Sequence, residues 1–405
     1  MSNVLEMYKN LPRNIYIMFF VKFINALGQF VVPFLSLFLT LKLGYSTVFA
    51  SSIITLSVLT CIPGSMFGGI LADKWDKKST YILTQSSAAL CILLCGFLTN
   101  TKILLFFLLL STFFSSAVRP VLNAFVYDMV EVKDQKAAYS LLYLALNVGV
   151  SVGPLIAGFL FKHYLTLLFV GDALTSFIAV FLVAFFVKVK DQKSHHLIKE
   201  YGSGFLNFSK NLLHNPQLGI FFIIYLFLSF IYGQHSFSLP LMLKDVYSDK
   251  SSVYFGYLMS VNAITCVSAT TFITYFTRNK SMLFSISLAG LFMGLGFGIL
   301  GLNTNYKIYV LSTILWTIGE ILLSTNVSIY IVQHCAITMQ TRASAFQNIV
   351  NAAGNSLGTL TMGFVITHLG IHMVWPIIFV LGIISFVSMR IFERVAIIKK
   401  ETMHT

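Results

Sequence analysis

Long apolar runs alternate with short polar or charged stops along nearly the whole chain. A helix that crosses a bilayer needs roughly 20 mostly apolar residues. Runs bounded by charges or turn residues predict twelve such helices, near 15–41, 47–72, 79–99, 102–127, 137–161, 164–187, 216–243, 252–276, 282–301, 306–330, 343–366 and 371–391. The expected fold is an all-α membrane protein of twelve transmembrane helices in two pseudo-symmetric six-helix bundles.

Composition agrees. Of 405 residues, 57% are hydrophobic and 10% charged, against about 25% charged in a soluble domain. That excludes a soluble enzyme and a disulfide scaffold. The formal charge of +13 first suggests a nucleic-acid partner, but its placement removes that reading. With the runs on alternating sides, 19 of the 27 Lys and Arg fall on the side of both termini and six on the other, while Lys22 and Arg119 lie inside spans. The positive-inside bias puts both termini in the cytoplasm and predicts a multi-pass protein of the cell membrane, with the bilayer as partner and no nucleic acid. The first run is too long for a signal peptide. Cys91 and Cys95 share a helical face, and two free buried thiols are expected there; no metal or cofactor site is predicted.

The chain is also a doubled half. Ala157-Gly158-Phe159-Leu160-Phe161-Lys162-His163 is echoed by Met362-Gly363-Phe364-Val365-Ile366-Thr367-His368 at an offset of 205, which also carries Gly149 onto Gly354 and Gly153 onto Gly358. The predicted organisation is an N-terminal six-helix half over 1–188, a polar basic linker over 189–215 and a C-terminal half over 216–405. Two such halves in the same orientation place a substrate site near the membrane midplane, the plan of a rocking transporter.

Two segments carry a family resemblance. Gly69-Ile70-Leu71-Ala72-Asp73-Lys74-Trp75-Asp76-Lys77-Lys78 resembles the signature loop of the major facilitator superfamily, with Asp76 where the family usually has Gly. Gly149, Gly153, Pro154, Ala157 and Gly158 are similar to the glycine-rich span-five motif of its twelve-span proton antiporters, with Ala157 in place of one Gly. The resemblance implies that Asp73 sits by the positive end of span eleven and that Lys77 pairs with Asp128, latching the halves. The plainer alternative is interfacial charge that fixes topology. Small residues in span five let helices approach closely, and packing is their other reading.

Ionisable residues inside a span are costly and commonly line a cavity or a proton path. Glu320 in span ten is the sharpest of these, because a carboxylate toggling between protonated and ion-paired forms is what proton coupling needs. Its alternative is a static salt bridge with Lys22 or Arg119. His235 is a second titratable candidate, its plainer role being a hydrogen-bonding group. Lys22, Asn25 and Gln29 read as one polar face of span one. Arg119, Tyr143, Asn147, Gln234 and Asn262 complete the predicted substrate cavity, and Asp172 reads as structural. Asn348, Asn351 and Asn355 mark a cavity wall or a helix-contact stripe.

Arg119-Pro120, Asn123, Tyr127-Asp128 and Asn147-Val148-Gly149 are similar to spans four and five of proton-coupled oligopeptide transporters. That family also carries a Glu in span ten and cations in span one, matched in type by Glu320 and Lys22. Leu239-Pro240-Leu241-Met242-Leu243-Lys244-Asp245-Val246 looks more like the bacterial drug-efflux branch. The expected function is proton-coupled export of a small organic solute, drug-like or amphoteric such as a metallophore, by a monomer using protons as the coupling ion. The alternative is a proton-coupled importer of small peptides or related nutrients. A membrane enzyme is disfavoured because no catalytic constellation gathers in one place, and a scaffold because there is no large soluble domain.

Overall fold

The computed structural model describes residues 11–131, 134–187, 216–302, 305–334 and 340–402. Among these the regular elements are helical. The long helices are α1 (Arg13–Leu27), α2 (Thr47–Lys74), α3 (Lys77–Cys95), α4 (Thr101–Met129), α5 (Gln135–His163) and α6 (Leu165–Phe186). They continue with α7 (Pro216–Tyr232), α8 (Ser238–Tyr247), α9 (Ser251–Thr277), α10 (Met282–Gly298), α11 (Tyr306–Gln333), α12 (Gln340–Leu369) and α13 (Val374–Thr402). Ten stretches among the described residues are long and apolar enough to cross a membrane. One of them, Gln217–Thr277, runs for 61 residues. At 1.5 Å per residue that is about three bilayer thicknesses, so it holds more than one crossing. The 19-residue α3 falls outside the ten, being broken up by Ser, Thr and Gln. The sequence pattern puts two spans, 216–243 and 252–276, in the long stretch and one, 79–99, over α3.

Helix boundaries repeat at the offset seen in the sequence. Asn100 caps α4 by accepting from the Lys102 and Ile103 N–H groups, and Asn305, 205 residues on, caps α11 by accepting from Lys307. Asp76 caps α3 through the Ser79 N–H; Ser281 caps α10 through the Phe284 N–H. A side-chain oxygen at this position satisfies an orphan N–H of the first turn. The Asp76 of the signature loop is thus a helix cap. The first and seventh spans also break at matching places. α1 stops at Leu27 before a turn of 3-10 helix at Val32–Phe34, and α7 stops at Tyr232 before one at Gly233–His235.

The residues sort into two compact units. One lies within Met1–Phe38, Leu56–Ile198 and Ser252–Ala263; the other lies within Leu39–Thr55, Lys199–Ser251 and Ile264–Thr405. The first unit takes in the opening of α9, and the second the opening of α2. The predicted linker over 189–215 lies outside the described residues.

In the first unit, α1 packs on α5 and α6, and α3 on α4 and α6. Ile15, Met18, Val21, Tyr81, Val121 and Val183 are among the residues of its core. A Cβ on Gly149 would fall 2.7 Å from the Phe23 carbonyl oxygen, so α5 meets α1 at backbone distance there. The opening of α9 docks on α5, with Ser252 donating to the Gly158 carbonyl at 3.2 Å and Ser260 to that of Ser151 at 2.8 Å.

In the second unit, α10 packs on α11 and α13, and α7 on α12. Gly354 repeats the role of Gly149, a Cβ there falling 2.5 Å from the Leu226 carbonyl oxygen. The opening of α2 docks on α12, with the Thr55 hydroxyl 3.4 Å from the Ser356 carbonyl oxygen.

Candidate functional site

The second unit gathers a polar cluster around the break of span seven. Trp316 and Glu320 lie four residues apart on α11 and therefore share a face. Glu320 is half-buried, and the Tyr232 hydroxyl donates to its Oε1 at 2.8 Å. Cys266, from α9, approaches its Oε2 with Sγ at 3.9 Å. Three helices therefore meet at one carboxylate.

The aromatic groups behind this cluster fix its geometry. The His235 ring lies between Tyr232, 4.4 Å away centroid to centroid, and Trp316, 5.6 Å away. His235 Nδ1 is 2.6 Å from the Tyr232 carbonyl oxygen, a contact across the break of span seven. Trp316 stacks in turn on Phe297, and Phe297 on Trp375, and all three are fully buried. The stack backs the Tyr232 ring, whose centroid lies 6.3 Å from that of Trp316.

Glu320 and His235, predicted from sequence, stand in this cluster together. Tyr232, Cys266 and Trp316 were not predicted. The four-residue spacing of Trp316 and Glu320 could have signalled one of them, but nothing in the sequence aims Tyr232 or Cys266 at the acid.

Other expectations are corrected. Lys22, Asn25 and Gln29 do not form one polar face, because α1 ends at Leu27 and Gln29 lies in the turn beyond it. The Asn25 side-chain Oδ1 accepts from Gln85 Nε2 at 3.3 Å and from Ser176 Oγ at 3.5 Å, tying α1 to α3 and α6. Gln234 is fully buried, its Nε2 donating to the Phe230 carbonyl and its Oε1 accepting from Ser238. Asn351 donates to the Tyr225 hydroxyl and lies 3.3 Å from Ser229 Oγ, which makes that stripe a helix contact.

Asp172 accepts from the Phe30 and Val31 N–H groups, both at 3.0 Å, and so serves as a cap for the broken first span. Tyr143 is exposed, and the Asn147 side chain donates to its carbonyl at 2.8 Å. Lys22, Lys77 and Asn262 are half-buried. The side chains of Asp73, Arg119 and Asp128 lie outside those described. Gly153, Pro154 and Gly158 are buried along α5. Cys61, Cys91, Cys95 and Cys266 take part in no disulfide among the described residues. Among the described residues no three His, Cys, Asp or Glu stand together as a metal site.

The family model of the Major Facilitator Superfamily matches residues 18–359. The chain belongs to this superfamily of transporters. Its relatives include the uncharacterized MFS-type transporter YqjV of Bacillus subtilis, 25% identical over 75% of this chain and 74% of that one. A Na(+), Li(+), K(+)/H(+) antiporter of Planococcus maritimus is 22% identical over 74% and 77%. The staphyloferrin A transporter of Staphylococcus aureus is 27% identical over 51% and 53%. Among solved structures, a mutant of a peptide transporter POT, in complex with sulfate, superposes with a TM-score of 0.77 over 95% of both chains. At 14% identity that likeness speaks for the fold alone.

Proposed function

We propose that this superfamily transporter is a proton-coupled exporter of a small organic solute, and that Glu320 carries the proton. The observation that carries this reading is the Tyr232–Glu320 hydrogen bond, which joins α11 to the break of span seven inside an apolar surround. An ionised carboxylate holds such a bond about twice as strongly as a neutral acid does. Protonation therefore weakens the tie between the two helices and shifts the population of conformers, which is what coupling requires. The antiporter relative supports proton exchange as the driving force, and the staphyloferrin A transporter supports a metallophore-like cargo. Lys22 and Arg119 are the proposed contacts for substrate carboxylates, with Asn262, Tyr143 and Asn147 lining the path. Asp73, Lys77 and Asp128 form the proposed cytoplasmic latch. The protein is placed in the cell membrane as a monomer, both termini cytoplasmic.

The test uses cells and spent medium from strains with no transporter, the intact protein, or Glu320→Gln, profiled for metabolites. An anionic or zwitterionic compound found outside only with the intact protein supports export. Medium peptides that vanish faster with the intact protein would replace this reading by import, the alternative that the peptide-transporter fold likeness keeps open. In proteoliposomes, Glu320→Gln should abolish transport driven by a pH gradient and retain exchange of substrate across the membrane. Full gradient-driven transport by Glu320→Gln would remove Glu320 from the mechanism.

A further inference from the structure

At one end of the second unit, away from Glu320, lies a cavity of about 500 Å³. Its walls come from the end of α9, the α9–α10 turn, the last turns of α11 and the last turns of α13. Arg278, Lys280, Tyr330, His334 and Glu393 are among its polar lining, and Met282 and Ile329 among its apolar lining. The charge bias of the chain assigns this end to the cytoplasmic side of the membrane.

We infer that this cavity binds the headgroup of an anionic phospholipid from the inner leaflet. The polar lining is rich in donors. Arg278 and Lys280 are exposed cations flanking the N-terminus of the 17-residue α10, whose first N–H groups and dipole favour negative charge. Tyr330 is 3% exposed and lines the cavity, stacked on His334 with ring centroids 4.1 Å apart. Glu393 is the acid of the lining, and its charge is already matched, since it accepts from Ser281 and pairs with Arg390.

The equivalent loop of the first half sharpens the point. Asp73-Lys74-Trp75-Asp76 stands 205 residues before Arg278-Asn279-Lys280-Ser281, so both acids of the first loop are absent from the second. The cap of α10 is a neutral Ser where that of α3 is a charged Asp. A lipid fits the surroundings better than a free anion. Phe272 and Phe276, on the α9 turns beside the cavity, are 68% and 74% exposed and offer a surface for acyl chains. Basic pockets between membrane helices on the cytoplasmic side are a known way of holding acidic headgroups.

The experiment takes the full-length protein in detergent and measures retained phosphatidylglycerol by native mass spectrometry, with phosphatidylcholine and glycerol phosphate as separate probes. Phosphatidylglycerol should be retained and the other two should not. The double variant Arg278→Gln/Lys280→Gln should lose roughly 10- to 30-fold in retention, from about a fivefold effect per cation. Tyr330→Phe should lose less, and Lys307→Gln, on the opposite end, should match the parent. A thermal unfolding scan confirms that each variant is folded, and a Lys280→Gln single variant replaces the double if that one is not. Equal retention of phosphatidylcholine, or unchanged retention by the folded variant, overturns the inference. Equal binding of glycerol phosphate overturns its lipid part and leaves an anion site. None of these outcomes depends on Glu320 or on the direction of transport.

Discussion

Removing the Asp172 carboxylate should destabilise the first unit, and the structure sets the size of the effect. Its Oδ2 accepts two backbone N–H groups, from Phe30 and Val31, each at 3.0 Å. Those residues are 5% and 3% exposed, so water has little access to the two donors once the acceptor is gone. An orphaned buried donor costs about 1–3 kcal/mol, which puts Asp172→Ala at about 2–6 kcal/mol. Asp172 is itself only half-buried, so water can follow the deleted side chain, and the lower half of that range, about 2–4 kcal/mol, is expected. Asp172→Asn keeps an acceptor oxygen and loses the charge, and should cost roughly half as much. Cys91 and Cys95 are free and buried on α3, which packs against the α6 helix carrying Asp172. A thiol-reactive fluorophore in a denaturant titration therefore reports unfolding of this unit. Asp172→Ala within about 0.5 kcal/mol of the parent would refute the capping argument, since that is the ordinary scatter of surface changes. Unchanged stability with lost transport would move Asp172 into the transport mechanism.

Two further outcomes can be checked alongside the Glu320 and lipid experiments. Tyr232→Phe deletes the donor to Glu320 while keeping the ring between its neighbours, and a hydrogen bond to a charged group is worth about 1.5–3 kcal/mol, so gradient-driven transport in proteoliposomes should fall about tenfold or more with the protein still folded; an unchanged rate would separate Tyr232 from coupling. Asp76→Ala should cost about 0.5–2 kcal/mol as a lost helix cap, read by denaturant titration at neutral pH. The pH dependence of that cap has a fixed sign. Burial pushes the Asp76 carboxyl up, but hydrogen bonds from Ser79 and neighbouring backbone N–H groups outweigh it and leave it below 3.8. Its contribution is therefore complete above the unfolded-state value near 3.9 and lost as pH falls through the lower folded value, so parent and Asp76→Ala should converge in acid. A gap that persists there would contradict the cap.

What the sequence determines by itself is set by solvent and by local rules. Crossing a bilayer demands about 20 apolar residues in a helix, so the runs and their charged stops are legible without any contact map. The repeat at 205 residues was visible in Gly149 and Gly354, and the same offset marks the helix caps Asn100 and Asn305, because a cap needs a short polar side chain at one position. Glu320 and His235 were readable because a titratable group in an apolar run is rare.

Only the tertiary structure decided what those groups touch. Asn25 and Gln234 look like cavity residues in a one-dimensional reading, and both are spent on hydrogen bonds inside the protein. Gln29 left its predicted face because α1 ends two residues earlier, where Asp172, more than 140 positions away, holds the turn. Tyr232 reaches Glu320 across 88 residues of chain, and Cys266 across 54. Helical periodicity relates residues three and four apart on one helix and carries no information about which neighbouring helix meets that face. The partners of a buried acid are chosen by packing between helices, and packing is what the sequence alone leaves open.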